Sequence, residues 1–150
     1  VDVARLAQLI VERLAPQADT RGVTLRVESV PGLPLAWADS DRVEQVLLNL
    51  LDNAIKYSPP EATVDVAVLV GPEQTVLVQV RDRGIGIPPE VLPRIGERFY
   101  RADKARARAH GGSGLGLAIA QALVEAHSGK LWLESHEGEG TTAQFTLPEA

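Results

Sequence analysis

Residues 40–57 read SDRVEQVLLNLLDNAIKY, and this stretch decides the fold. Its apolar residues recur with the period of an α-helix, Asp39 or Ser40 is suited to cap its start, and two prolines follow its end. Polar residues at helical spacing share another face: Asn49, Asn53, Lys56 and Tyr57. An Asn oxygen can ligate Mg²⁺ and an Asn nitrogen can donate to a phosphate. A solvated polar stripe is the alternative.

The rest of the chain alternates helices with paired strands. Helical spacing predicts helices over Asp2–Asp19, closed by Pro16 and Gly22, and over Glu90–Arg98 and Leu115–His127. Alternation predicts a strand at Val23–Val30 and hairpins formed by Thr63–Val70 with Thr75–Val80 and by Lys130–Ser135 with Thr142–Leu147. We therefore expect an α/β (α+β) two-layer sandwich: one domain over residues 1–150, with a mixed, mostly antiparallel sheet and helices on one face.

Composition excludes several classes of function. With no Cys there is no disulfide framework and no thiolate metal site, and the three His lack metal-ligand spacing. The net charge of −5 argues against a nucleic-acid surface. No run is apolar enough to span a membrane, so the fragment is expected to be soluble. Because the chain also contains no Met, we interpret it as a piece of a longer protein.

A second segment with possible binding chemistry is Asp82-Arg-Gly84-Ile-Gly86-Ile87-Pro88, at the end of a predicted strand. An Asp at this place can accept a hydrogen bond from an exocyclic amine such as that of adenine. Glycines at 84 and 86 allow the backbone to approach a flat ring closely. An ordinary strand-to-loop turn has the same residue types, and the segment alone does not choose between them.

A third segment, Gly111 to Leu117, places glycines directly before an apolar helix. Free backbone N–H groups and the positive end of a helix dipole favour an anion such as phosphate. No Gly-Lys-Ser/Thr follows, so this is not the Walker pattern, and a glycine-rich linker is the alternative. Upstream, residues 103–112 are polar and Arg/Ala-rich, and we expect them to form a lid. Arg101 is the strongest phosphate candidate among the basic residues there.

These segments occur in an order that resembles the GHKL superfamily of ATPases and kinases. Asn49 to Ser58 resembles its N box, Asp82 to Gly86 its G1 box and Gly112 to Leu117 its G2 box. Glu97-Arg-Phe-Tyr-Arg101 is similar to the F box of sensor histidine kinases, and Gly138 to Thr142 to the closing glycine-threonine turn.

The resemblance implies a Bergerat fold that binds ATP with Mg²⁺ under a lid. It implies that Asn49 ligates Mg²⁺, that Asn53, Lys56 and Arg101 contact the phosphates, and that Asp82 recognises the adenine amine. The catalytic residues would be Asn49, Lys56 and Arg101. The remaining nucleotide-binding positions would be Tyr57, Gly84, Gly86, Ile87, Gly112, Ser113, Gly114, Leu115, Gly116, Leu117 and Thr142. One departure is Gly96, where the family often has Phe, and we hypothesise a looser F-box segment.

The resemblance also implies partners. Family kinases phosphorylate a His on a separate dimerisation domain, which this chain lacks, and then a response regulator. We expect a cytoplasmic location and a monomeric isolated domain, and the sequence leaves open whether the parent protein is anchored in a membrane. Two alternatives stay open: a GHKL serine kinase of the anti-sigma type and a non-catalytic nucleotide-binding signalling module.

Overall fold

The structure, a computed structural model, describes residues 1–83, 116–136 and 140–150. Across these residues the chain forms three helices and five strands. The helices are α1 (Val3–Thr20), α2 (Ser40–Tyr57) and α3 (Gly116–Ala126). The strands are β1 (Thr24–Ser29), β2 (Thr63–Gly71), β3 (Thr75–Arg81), β4 (Leu131–His136) and β5 (Gly140–Pro148).

The strands form one sheet in the order β1-β2-β3-β5-β4. Its first pair, β1 with β2, is parallel, and the other three pairs are antiparallel. The parallel pair arises because α2 carries the chain back across the sheet between β1 and β2. The predicted fold class, a two-layer sandwich with a mixed and mostly antiparallel sheet, is confirmed.

Helix α2 lies at the centre of the domain. Asp39 caps it by accepting hydrogen bonds from the backbone N–H groups of Asp41 (2.9 Å) and Arg42 (3.4 Å). Its apolar face is buried in the core and consists of Val43, Val46, Leu47, Leu50, Leu51, Ala54 and Ile55. On the facing strands, alternate residues enter the same core, for example Val76, Val78 and Val80 of β3. The described helices therefore cover one face of the sheet.

Helix α1 differs from its prediction at Pro16. The helix continues through this residue and ends at Thr20, although Pro lacks the N–H that an interior helical residue donates. Burial of Ala18, which is 1% exposed, holds the last turn against the core. The Thr20 hydroxyl also donates to the Pro16 carbonyl at 3.0 Å. Pro16 was therefore wrongly predicted to help close the helix, whereas Gly22 follows its end with φ 74°.

The predicted hairpins are present. The turn between β2 and β3 occupies residues 72–74, where Glu73 and Gln74 have φ values of 52° and 60°, as tight hairpin turns require. Antiparallel pairing of β4 and β5 confirms the last hairpin. The predicted helix Glu90–Arg98, the predicted lid at 103–112 and the turn at 137–139 lie outside the described residues. None of the helices described is both long and apolar enough to cross a membrane.

Candidate nucleotide-binding site

The polar face of α2 lies against the first residue of α3. A methyl group added at Gly116 would lie 3.4 Å from Nδ2 of Asn53 and 3.9 Å from Cβ of Asn49. The structure therefore brings together two segments that are more than 60 residues apart in the sequence. A Cβ at 116 would be in ordinary van der Waals contact with the Asn53 amide, so α3 begins directly against the polar face of α2.

The buried amide groups of Asn49 and Asn53 are the strongest indication of a ligand-binding site. The Nδ2 atoms of both residues are buried, and neither has a hydrogen-bond partner in the part of the chain that the structure describes. They are also the only two asparagines in the chain. A buried amide without a partner costs about 1–3 kcal/mol, so such groups are rare in a folded protein unless a ligand or water satisfies them. Two neighbouring N–H donors of this kind suit a ligand that is rich in acceptor oxygens, such as a phosphate group.

Lys56 follows on the same helix, and its ammonium group already has a partner. Its Nζ lies 3.0 Å from Oδ2 of Asp52, one turn earlier. The other carboxylate oxygen of Asp52 accepts a hydrogen bond of 2.8 Å from Nε2 of Gln17 in α1. Sequence reasoning singled out Lys56 but missed Asp52. The i, i+4 spacing of opposite charges was the signal that could have identified it.

Asp82 lies directly after β3 and is 5% exposed. Its backbone N–H donates to the carbonyl of Thr141 at 2.9 Å, and its Oδ1 accepts from the N–H of Thr141 at 3.1 Å. Gly140 makes this contact possible. A Cβ at Gly140 would lie 2.3 Å from the Asp82 carbonyl oxygen, and the residue has φ 111°. The carboxylate is therefore fixed by backbone, 59 residues away in sequence.

The structure also describes the candidate residues near two centres of the site, which are the junction of α2 with α3 and the Asp82 carboxylate. Tyr57 ends α2 and is 3% exposed, and Leu117 follows Gly116 and is 2% exposed. Thr142 pairs with Arg81 of β3, so strand alternation directs it to the face of the sheet opposite Thr141. Thr141, which sequence reasoning did not select, is the residue that contacts Asp82. Its signal was its place in the closing glycine-threonine turn.

The remaining predicted site residues lie outside the described part of the chain. They are Gly84, Gly86, Ile87, Arg101, Gly112, Ser113, Gly114 and Leu115. The same applies to Gly96 and to the F box.

The described geometry defines one chemical environment at the junction of α2 and α3 and another at the end of β3. The first offers two unsatisfied amide donors beside the positive end of a helix dipole, which favours anions. The second offers a buried carboxylate held by the backbone, an acceptor for an amine hydrogen. Asp82 comes two residues after Val80, and alternate residues along a strand point to the same face of the sheet. Because Val80 is buried in the core beneath the helices, the Asp82 carboxylate also lies on the helix-covered side.

Comparison with known proteins agrees with this description. Residues 38–150 match the family of histidine kinase-, DNA gyrase B- and HSP90-like ATPases. The chain therefore belongs to this family. The match covers both centres of the site and begins just before the cap of α2.

Within the family, the similarity is to sensor histidine kinases. The chain is 42% identical over 153 residues to the sensor histidine kinase WalK of Bacillus subtilis, across 99% of this chain and 24% of WalK. Full-length ShkA, solved in complex with AMPPNP, superposes with a TM-score of 0.84 and 31% identity, over 100% of this chain and 30% of ShkA. A mycobacterial sensor histidine kinase, MprB, gives a TM-score of 0.81 and 30% identity, over 99% of this chain and 95% of the MprB chain. The predicted resemblance is confirmed.

Proposed function

We propose that this chain is the ATP-binding catalytic domain of a sensor histidine kinase. It would bind Mg-ATP between α2 and α3 and, within a longer parent protein, promote transfer of the γ-phosphoryl group to a histidine. The chain spans about a quarter of the length of WalK, so the acceptor histidine would be provided by a separate dimerisation domain. The observation that carries the proposal is the pair of buried amides of Asn49 and Asn53, which have no partner among the described residues and lie on the face of α2 that meets Gly116.

Each residue would have a distinct task. The Asn53 amide would donate to a phosphate oxygen, and Asn49 would turn its amide oxygen to Mg²⁺. Mg²⁺, when bound, would neutralise charge that develops on the phosphate oxygens. Lys56 and Arg101 would add positive charge beside the same phosphates, and Asp82 would accept a hydrogen bond from the adenine amine. Catalysis would then rest on positioning and on electrostatic stabilisation.

The reaction itself would need no covalent participation by this chain. A ring nitrogen of the acceptor histidine would attack the γ-phosphorus, the bond from that phosphorus to the β–γ bridging oxygen would break, and ADP would leave. A response regulator would be the next acceptor of the phosphoryl group. We place this chemistry in the cytoplasm, with the isolated chain a monomer. The AMPPNP in the ShkA complex supports a site for an adenine nucleotide in a similar fold.

The binding half of the proposal is tested by calorimetry with Asn49→Ala. We expect wild-type chain to bind ATP more tightly when Mg²⁺ is present, and the variant to lose that Mg²⁺ dependence. If Asn49→Ala binds ATP with unchanged affinity and unchanged Mg²⁺ dependence, Asn49 is not part of the binding site. Gln8→Ala, at an exposed position of α1, is a control that should bind like wild type.

The catalytic half is tested by mixing the chain with a histidine-bearing helical dimerisation domain and radiolabelled ATP. We expect acid-labile phosphate on histidine of the added domain. Acid-stable phosphoserine would instead favour the serine-kinase alternative. ATP binding without any transfer, also when the two domains are joined in one chain, would favour a non-catalytic module.

A further inference from the structure

Asp52 is held on both of its carboxylate oxygens. Oδ1 accepts a 2.8 Å hydrogen bond from Nε2 of Gln17 in α1, and Oδ2 lies 3.0 Å from Nζ of Lys56. The side chains of Asp52 and Lys56 are 37% and 33% exposed. The hydrogen bond from Gln17 favours one position of the Asp52 carboxylate, and with it one position of the lysine ammonium that is paired with it.

The Asp52 carboxylate lies on the side of α2 that faces α1. Successive residues of a helix are about 100° apart, so Asp52 is about 100° around the axis from Asn53, and Lys56 lies between them. Asn53 faces α3, through Gly116. The Arg13–Glu44 ion pair also joins α1 to the side of α2 that carries Asp52, about 180° around the axis from Asn53. Nη1 of Arg21 donates to the Lys56 carbonyl at 3.4 Å. Around the helix axis, pairing with Asp52 turns the Lys56 ammonium toward α1 and away from the side of α2 that carries Asn49 and Asn53.

We propose that Asp52, anchored by Gln17, is a competing partner for Lys56 that lowers the affinity of the site for phosphate-bearing ligands. The inference rests on the proposed function, since it requires that Lys56 serves the nucleotide phosphates. A polyphosphate must draw the ammonium away from Asp52, and it also meets the negative charge of that carboxylate. A ligand without phosphate meets neither obstacle.

The size of the effect follows from the exposure of the pair. An ion pair between exposed side chains four residues apart on a helix corresponds to a factor of about two in an equilibrium constant. The pair is therefore weak enough for a polyphosphate to separate. It is also strong enough for its removal to be measured as a change in dissociation constant.

The test is a set of dissociation constants for Mg-ATP and for adenosine, measured by calorimetry at low ionic strength. Asp52→Asn keeps the shape of the side chain and removes its charge. We expect this variant to bind Mg-ATP about twofold more tightly than wild type, with adenosine affinity unchanged. The gain should shrink at high salt, because charge interactions near the surface are screened. Asp52→Glu restores the charge and should restore the wild-type affinity.

Two further variants test whether the gain in Mg-ATP affinity depends on Lys56. In a Lys56→Gln background, Asp52→Asn should give a clearly smaller gain in Mg-ATP affinity, because only the repulsion between the carboxylate and the polyphosphate is then removed. Gln17→Ala releases the anchor without altering any charge and should give a smaller gain than Asp52→Asn. The matched control is Glu44→Gln, which removes one negative charge from the same side of α2 about 12 Å away, at 1.5 Å per residue, and should have no such effect.

The outcomes separate this inference from the proposed function. If Lys56→Gln alone leaves Mg-ATP affinity unchanged, the phosphate role of Lys56 fails and the inference fails with it. If Lys56→Gln weakens binding but Asp52→Asn does not strengthen it, only the inference is overturned. An equal gain from Asp52→Asn in the Lys56→Gln background would also overturn it, because the carboxylate would then act without Lys56.

Discussion

Replacing Asn53 by Leu should stabilise the empty domain and abolish its stabilisation by Mg-ATP. Nδ2 of Asn53 is buried and has no hydrogen-bond partner within residues 1–83, 116–136 and 140–150, and a Cβ at Gly116 would lie 3.4 Å from it. Leu branches at the same atom as Asn and has the same number of side-chain heavy atoms, so it leaves no cavity. The substitution removes an unsatisfied buried donor, which is otherwise a cost of about 1–3 kcal/mol.

The expected rise in melting temperature has two contributions. Leu has a helix propensity better than that of Asn by about 0.4 kcal/mol, and relief of the unpaired amide adds about 1 kcal/mol or more. For a chain of 150 residues, 1 kcal/mol corresponds to about 2–4 °C in Tm, so the empty variant should melt about 3–6 °C above wild type. At a ligand concentration of 100 times Kd, wild type gains about 2.7 kcal/mol from Mg-ATP and the variant gains nothing. The order of the two melting temperatures should therefore reverse when Mg-ATP is added.

The assay is thermal unfolding followed by circular dichroism, with and without Mg-ATP. Gln8→Leu is the control, since it converts an amide to Leu at an exposed position of α1. It should change stability by no more than about 0.5 kcal/mol and keep the response to Mg-ATP. The reasoning is refuted if Asn53→Leu melts below wild type without ligand, because the amide would then have a stabilising partner. An undiminished Mg-ATP response would refute the placement of Asn53 in the site.

Three further substitutions test the scaffold around the site by urea unfolding. Gly140→Ala should cost about 2–4 kcal/mol, because its Cβ would lie 2.3 Å from the Asp82 carbonyl oxygen at φ 111°, and a loss below about 0.5 kcal/mol would contradict this geometry. Phe145→Ala should cost about 3–5 kcal/mol, since Phe145 is completely buried in the core, and a smaller cost would mean that the core closes around the gap. Asp39→Ala should cost about 1 kcal/mol through loss of the α2 cap, whereas Asp39→Ser should retain most of it, and equal losses in both variants would argue against capping.

Much of the fold could be predicted because its signals are local. The apolar face of α2, its cap at Asp39 and the turn at residues 72–74 each depend on residues a few positions apart. Helical and strand periodicity, capping and turn chemistry operate over that range. The Asn49, Asn53 and Lys56 stripe could be recognised for the same reason. Its chemical meaning came from the order of motifs, because a polar helix face alone is equally typical of solvent exposure.

The tertiary structure decided what distant residues do to one another. No local pattern indicates that Thr141 fixes the Asp82 carboxylate, that Gly116 packs against Asn53, or that Gln17 anchors Asp52 beside Lys56. Nor does one indicate that α1 continues past Pro16, where burial of the last turn offsets the missing hydrogen bond. Local sequence patterns indicate which elements form and which residue types could bind a nucleotide. Only packing decided which donors are buried without partners and which charges are already paired, since burial and long-range contacts exist only once the chain has folded.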